Sequence, residues 1–352
     1  MTEIEDQVQV EGTEETVYEY FLSKGWTDGL PVIPPTIERI EAFLAQANVA
    51  SDDIIGVIPP QWAELTVEKL AVNAVMAGCK PEYMPVLIAA IKSMCEPAFN
   101  LYGVQATTNP VGPMLVVNGP VGKRIGLKAD TGALGPGWRA NVTIGRAIRL
   151  VLLNVGGGTP GDMDRATQGM PGKLFFCFAE NEEASPWEPF HVEKGYPADT
   201  STATVIGASG SLNLIDQGSL DAEGLLKTFA SALSVIGTNN IYYGGDPVLL
   251  ISPEHADTLS KGGLKKLDVK GYLFNSACTP IEQFSRDNVE RVLMKRRPHL
   301  FDKGMPTCIR PIDKPDDLIV LVVGGPGKHS AFVPTFGVNR SVTTIISWAP
   351  TQ

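Results

Sequence analysis

The sequence has no CxxC pair, no apolar run near the roughly 20 residues that span a bilayer, and no concentrated basic face. Each absence removes a class. Five cysteines, at 79, 95, 177, 278 and 308, stand singly, so a zinc ribbon or a dithiol redox motif is not encoded and reduced thiols are expected. Without a long apolar stretch, neither a spanning helix nor a membrane partner is expected. The net charge of −10, with Lys295, Arg296 and Arg297 as the one dense basic cluster, argues against nucleic acid, which needs a basic surface. The opening MTEIEDQVQVEGTEE is acidic and polar, unlike a signal peptide or presequence, and the expected location is cytoplasmic. The chain also lacks the patterns GxxxxGK[ST], HExxH and GxSxG.

What is present describes a globular chain of 352 residues, 43% hydrophobic and 19% charged. Apolar periodicity and capping residues predict helices over 14–24, 37–47, 67–79, 81–95 and 139–155, then from Asp221, Pro253 and Asp268. Buried strands are predicted at MLVVNG (114–119), LFFCFA (174–179), TATVIGA (202–208), VLLIS (248–252), LIVLVVGG and SVTTIISW. This alternation predicts an α/β fold, a mixed sheet with several βα-like units. Two similar corners, LVVNGPVGKR (115–124) and LVVGGPGKHS (321–330), hint at internal duplication. Residues 1–12 read as a flexible tail, and 13–352 as one large domain with a subdivision conceivable near 195–200.

Four stretches carry candidate chemistry. In GGPGKHS a glycine-rich turn follows a strand, so its backbone N–H groups form an anion nest. Lys328 can stabilise negative charge there, His329 can act as acid or base, and Ser330 can contact substrate; a purely structural turn is the alternative. In QATTNPVGP, Gln105, Thr107 and Asn109 can orient a polar ligand or merely build a turn. In GPGWRANVTIGRAIR, Arg139 and Arg146 lie two helical turns apart on nearly one face, with Asn141 between them. A buried guanidinium must be paired, either with a protein carboxylate or with an anionic substrate. In ENEEASPWEPFHVEKGY, Glu183, His191 and Glu193 lie close enough in sequence to bind a divalent metal or form an acid–base pair, with salt bridges to the arginines as the structural alternative. Cys79, beside Lys80 at a helix break, is a reserve nucleophile.

The strings GWTDGLPVIPPT, VEKLAVNAVMAGCKPEYMPV, GPGWRANVTIGRAIRL, CFAENEEASPWEPFHVEKGY, LLISPEHA and VVGGPGKHS together resemble a largely uncharacterised bacterial family. Its members are found beside or fused to small proteins with a selenocysteine-or-cysteine–Gly–Ser–Cys motif. The resemblance covers roughly residues 18–335. It implies a heteromeric complex in which a second chain brings the redox module, because this sequence contains no Cys-Gly-Ser-Cys. The expected function is an enzyme subunit, oligomeric, acting on a small anionic organic substrate by thiol- or selenol-coupled redox chemistry or carbon–heteroatom cleavage. A metal-dependent hydrolase or lyase built on the 180–193 loop is one alternative; a non-catalytic binding or scaffold subunit is another.

Overall fold

The computed structural model describes residues 8–348. Most of the tail expected over 1–12 lies outside them. The predicted helices form: Glu14–Ser23, Ile37–Leu44, Val67–Ala77, Met84–Cys95 and Arg139–Asn154 in the first half, then Ala222–Leu233, Pro253–Lys261 and Lys266–Ser276. Their starts are set by local chemistry. Thr13, Thr66 and Asp221 each accept a backbone N–H of the first turn, and Pro253 occupies the first position of its helix.

Among the described residues twelve strands follow in order: β1 Ile54–Ile58, β2 Ala63–Thr66, β3 Gly112–Asn118, β4 Cys177–Ala179, β5 Thr202–Ala208, β6 Leu212–Ile215, β7 Val248–Ile251, β8 Thr279–Pro280, β9 Cys308–Ile309, β10 Ile319–Val322, β11 His329–Val333 and β12 Val342–Ile345. β1–β2 and β8–β9 are small ladders. The other eight make two mixed four-stranded sheets, ordered β12-β5-β3-β4 and β10-β7-β11-β6. The expected class, α/β, is therefore correct, with two sheets in place of one.

The alternation of side chains along the strands stacks these sheets into four layers. Leu115 and Val117 of β3 and Ala203 and Val205 of β5 face the first group of helices. Met114, Val116, Phe178 and Ile206 face the other way, against Val248, Leu250, Ile319 and Leu321 of the second sheet. The outer face of that sheet, with Leu249, Ile251, Val320 and Phe332, buries Leu226, Phe229, Leu259 and Leu273 of the second group of helices. Strands buried on both faces read as continuous apolar runs, which is why they are visible in the sequence.

Each sheet repeats one pattern. A central strand (β3 or β7) has a parallel neighbour (β4 or β10) on one side and an antiparallel one (β5 or β11) on the other. The fourth strand is exchanged: β6 leaves β5 to pair with β11, and β12 leaves β11 to pair with β5. The two similar corners are not equivalent in this repeat, since one ends the central strand β3 and the other ends the neighbour β10. The loop around 195–200 joins β4 to β5 inside one sheet, and the chain passes between sheets at β5–β6 and β11–β12. No helix among the described residues is long and apolar enough to cross a membrane.

One expectation about the cysteines is corrected. Cys278 and Cys308 form a disulfide across the β8–β9 ladder, whose antiparallel pairing brings their Cα atoms to 5.6 Å. Cys79, Cys95 and Cys177 are free. The sequence spacing of 30 residues carries no signature of this pairing, which depends on a ladder two residues long.

Candidate functional site at the strand ends

The parallel strands β3, β4 and β10 end at one place. Asn181 N–H donates to Val322 O at 2.8 Å, Glu180 N–H to Val117 O at 3.2 Å, and Gly324 N–H to Ala129 O at 2.8 Å. Carboxyl ends of parallel strands are where α/β sheets usually hold ligands. Here they hold a buried polar network. Asn118, the last residue of β3, donates its side-chain amide to Glu180 Oε2 at 2.6 Å and to Glu182 Oε1 at 3.0 Å. Gly119 N–H donates to Glu182 Oε1 at 2.7 Å, and Phe190 N–H to Glu180 Oε2 at 2.8 Å.

Gly119 allows this approach. Its φ is +82°, and a Cβ there would lie 2.4 Å from Thr200 O. The adjoining irregular segment then supplies His191, wholly buried, whose Nε2 contacts Ala198 O at 3.3 Å while Nδ1 lies 3.8 Å from Glu182 Oε1. From the second sheet's helix layer come Lys266 and Lys270, one helical turn apart. Lys266 donates to Glu188 O at 2.8 Å and lies 3.3 Å from Glu193 Oε2 and 3.8 Å from Glu180 Oε1; Lys270 is ion-paired with Glu193.

Three carboxylates thus face two ammonium groups and an imidazole. Burial pushes the Glu180 carboxyl above its ordinary range; the neighbouring Glu182 charge adds to the shift, and Lys266, Phe190 N–H and Asn118 oppose it. Burial also lowers Lys270, against the pull of Glu193. Five buried polar atoms here lack a hydrogen-bond partner: Asn118 Oδ1, Glu180 Oε1, His191 Nδ1, Glu193 Oε2 and Thr202 Oγ1, of which Glu180 Oε1 and Glu193 Oε2 face Lys266 and His191 Nδ1 faces Glu182 as ion pairs. Asn118 and Thr202 are paired neighbours in the β3–β5 ladder, so these orphans share one locality. Buried polar groups are ordinarily satisfied, and a cluster of five is what a polar ligand would complete.

The residues singled out in the sequence divide into separate groups. His191 and Glu193 belong to the network, whereas Glu183 is exposed and paired with Lys123. Among the described residues no three His, Cys, Asp or Glu side chains are grouped so as to hold a metal ion. Arg146 makes a two-pronged pair with Asp28 and also donates to Leu30 O and Pro31 O. Arg139 donates to Gly78 O and Cys79 O at the end of the Val67–Ala77 helix. Asn141 holds the backbone of Lys128 and Ala133. The Cys79 thiol donates to Thr143 O, and burial pushes it up to about 12. A thiol so placed is a packing residue in its resting form.

Gln105 is buried and donates to Leu152 O. Asn109 and Thr107 shape their own turn, and Ser209 donates to Asn109. His329 opens β11 at the surface, 3.3 Å from Asn213, and Lys328 reaches Gln217 O at 3.4 Å. Ser330 points inward to His255 Nδ1 at 2.8 Å and accepts Ser252 N–H at 3.1 Å. Among the described residues no hydrogen bond or ion pair joins His329 or Lys328 to Arg139, Arg146 or Cys79. The GGPG turn itself borders the site, through Asn181 Nδ2 to Gly324 O at 3.0 Å.

Sequence reading missed Asn118, Lys266 and Lys270 as site residues, whereas Glu180 and Glu182 lie in the acidic stretch it singled out, with Glu182 expected beside Glu183 and His191 to orient the substrate, relay a proton or bind a metal. Asn118 and Glu180 carried a signal, since each is the first polar residue after a wholly apolar strand. Lys266 and Lys270 carried only their i, i+4 spacing, which ordinarily marks a solvated helix face. The geometry defines an α/β protein with a buried acid–base network at the carboxyl ends of its parallel strands. No family model, curated protein or solved structure matches the chain.

Proposed function

We propose that this chain is the substrate-holding subunit of an enzyme that moves protons on a small polar organic molecule at the carboxyl ends of β3, β4 and β10. The observation that carries this reading is the group of five buried polar atoms without a hydrogen-bond partner, on Asn118, Glu180, His191, Glu193 and Thr202, three of which have only an ion-pair neighbour. His191 and Glu182 form the proton-transfer pair: the imidazole presents Nδ1 toward the carboxylate 3.8 Å away, and its other nitrogen is held by Ala198 O. Glu180, with its carboxyl raised by burial, is the acid, and Lys266 sets the charge around it. Three carboxylates against two ammonium groups favour a substrate that offers N–H or O–H donors. The arginines once expected to clamp an anion are already engaged by Asp28 and by backbone carbonyls.

The test is untargeted profiling of a small-molecule extract incubated with wild type and with His191→Asn. Wild type should change a few molecular masses, or incorporate deuterium from heavy water, and the variant should not. Identical extracts would leave only the binding or scaffold reading. Loss of the change on adding a chelator would move the case to metal-dependent hydrolysis or lysis.

One observation favours thiol-coupled chemistry as a second reading. Cys278 lines an open cleft of about 440 Å³ together with Lys227, Tyr272, Thr279 and Gln283. A dithiol on a partner protein could exchange with Cys278–Cys308 there, becoming oxidised as this pair is reduced. The free thiols Cys79 and Cys177 are buried and unsuited to that role. A cytoplasmic location goes with this reading, because a reducing compartment would keep the pair in exchange. Acid-trapping the thiols in intact cells tests both: a mixed redox state supports them, and a fully oxidised pair removes them.

A further inference from the structure

The open cleft beside Cys278 is built from two helix faces and one short strand. Lys227, Ser231 and Ser234 stand at i, i+4 and i+7, on one face of the Ala222–Leu233 helix and its end. The core side of that helix carries Leu225, Leu226, Phe229 and Leu233, so this flanking polar stripe is left to the cleft. Tyr272 and Ser276, one turn apart, come from the Lys266–Ser276 helix, and Thr279 of β8 and Gln283 complete the wall. The volume of about 440 Å³ falls within the roughly 300–1,000 Å³ of ordinary small-molecule pockets.

The chemistry of the lining points to one class of ligand. Lys227 is its single charged residue, and the lining holds no carboxylate. The ion pair of Lys227 with Glu223, at 2.8 Å, lies in solvent, with side chains 66% and 70% exposed. Exposed pairs of this kind hold weakly, so an incoming carboxylate can replace Glu223. Thr279 Oγ1 donates to Ser234 O at 2.8 Å and Ser234 Oγ to Ala230 O at 2.7 Å, which engages those two hydroxyls. The side chains of Ser231, Tyr272, Ser276 and Gln283 make no hydrogen bond to other described residues. They are free to donate to a carboxylate or to pair with amide groups. The same wall holds an electrophile. Cys278 lines the cleft and its disulfide partner Cys308 does not, although both are half-buried. One sulfur of the pair is therefore presented to a bound molecule, and the other stands behind it as leaving group.

We propose that this cleft binds a small thiol bearing a carboxylate and directs it onto Cys278. This binding rests on the reading of Cys278–Cys308 as an exchanging pair, and it gives that exchange a bound small-molecule reductant. Lys227 takes the carboxylate, and the free hydroxyls and the Gln283 amide hold the rest of the molecule. The ligand's thiolate attacks Cys278 Sγ; the S–S bond breaks, and Cys308 leaves as a thiolate that takes up the proton the ligand lost. A second ligand thiol then attacks the mixed disulfide on the ligand's sulfur, and Cys278 leaves and is protonated in turn. Two thiols have become one disulfide, and their two electrons have reduced Cys278 and Cys308.

The test times reduction of the native full chain by glutathione, a carboxylate-bearing thiol, against reduction by the uncharged 2-mercaptoethanol at equal thiolate concentration. The glutathione rate should saturate with concentration and, below saturation, exceed the other roughly tenfold, the worth of one charge-assisted hydrogen bond. Lys227→Met should abolish that advantage and leave the 2-mercaptoethanol rate unchanged, since the side chain is exposed and outside the core. Iodoacetamide added early in the reaction should leave glutathione on Cys278 and the alkyl label on Cys308. Equal, unsaturable rates for the two thiols would overturn recognition by the cleft while leaving exchange at Cys278 standing. A native pair that neither thiol reduces would overturn both. Glutathione found mainly on Cys308, or an advantage that survives in Lys227→Met, would overturn the proposal equally.

Discussion

Asp28 and Arg146, 118 residues apart in the chain, meet in a two-pronged ion pair with Nε–Oδ2 and Nη2–Oδ1 both at 2.8 Å. The carboxylate is 3% exposed and the guanidinium 11%. The pair fastens the irregular GWTDGLP segment onto the Arg139–Asn154 helix and engages an arginine that the sequence had suggested for an anionic substrate.

Removing one partner leaves a buried charge, so Arg146→Met should destabilise the fold by about 3–5 kcal/mol in chemical denaturation. Burial alone would raise the Asp28 carboxyl above 3.8; the Arg146 hydrogen bonds and charge outweigh it and hold the group below that value. Its stabilising contribution is therefore present above pH 3.8 and lost as pH falls through the lower folded value. In Arg146→Met the burial remains, opposed only by the backbone N–H groups of Leu30 and Asp28, so the gap to wild type should be widest near neutrality and narrow in acid. Asp28→Asn combined with Arg146→Met should recover a large part of the loss. A single variant as stable as wild type would show that the pair contributes nothing.

Glu180 has the opposite sign. Burial raises its folded value above 4.5, so its contribution is fully present below pH 4.5 and is lost as pH rises through the folded value. Glu180→Gln keeps an acceptor for Asn118 and Phe190 while removing the charge. It should be more stable than wild type at pH 7, by about 1 kcal/mol, and indistinguishable below pH 4.5. Sites shaped for function commonly give up stability in this way. A less stable Gln variant at neutral pH would mark Glu180 as a structural anchor.

The free thiols should be nearly inert in the native state. With Cys79 pushed up to about 12, only about one thiol in ten thousand is ionised at pH 8. Iodoacetamide should label half-buried Cys95 first, and Cys79 and Cys177 only on unfolding. Rapid native labelling of Cys79 would restore it as a nucleophile.

The Cys278–Cys308 bond closes a loop with a sequence separation of 30, worth roughly 3–4 kcal/mol if chain entropy dominates. The paired replacement by serine should lower stability by that amount and loosen the segment between the two positions in hydrogen exchange. No change in either measurement would show that the bond does not constrain the fold.

Much of the architecture was legible because it rests on local rules. Thr66 and Asp221 cap their helices as expected, and TATVIGA forms a strand with the predicted limits, buried along its whole length. The β1–β2 hairpin escaped notice because its turn is the unusual Pro59-Pro60-Gln61-Trp62, with a cis bond and a positive φ at Trp62. HSAFV was hidden by the Lys-His-Ser that precedes its apolar residues, although Ser330 turns inward to His255. The site was only half legible. His191 and Glu193 stand out by residue type, but their partners come from β3, from the end of β4 and from a helix beyond the second sheet. That juxtaposition depends on stacking two sheets face to face, which no local pattern encodes. For the same reason Arg139 and Arg146 looked like a substrate clamp: their nearest oxygens lie in GWTDGLP and at Gly78-Cys79, far away in the chain.

The central claim is that the network around Glu182 and His191 is a ligand site. Its most direct test is ligand-induced thermal stabilisation, measured with small hydroxy-, amino- and keto-compounds on wild type and Glu182→Gln. At least one compound should raise the melting temperature of wild type, the variant should fold without loss of stability, and the same compound should leave the variant's melting temperature unchanged. A variant that is itself destabilised, or that responds to every compound as wild type does, would make the network a structural salt-bridge cluster.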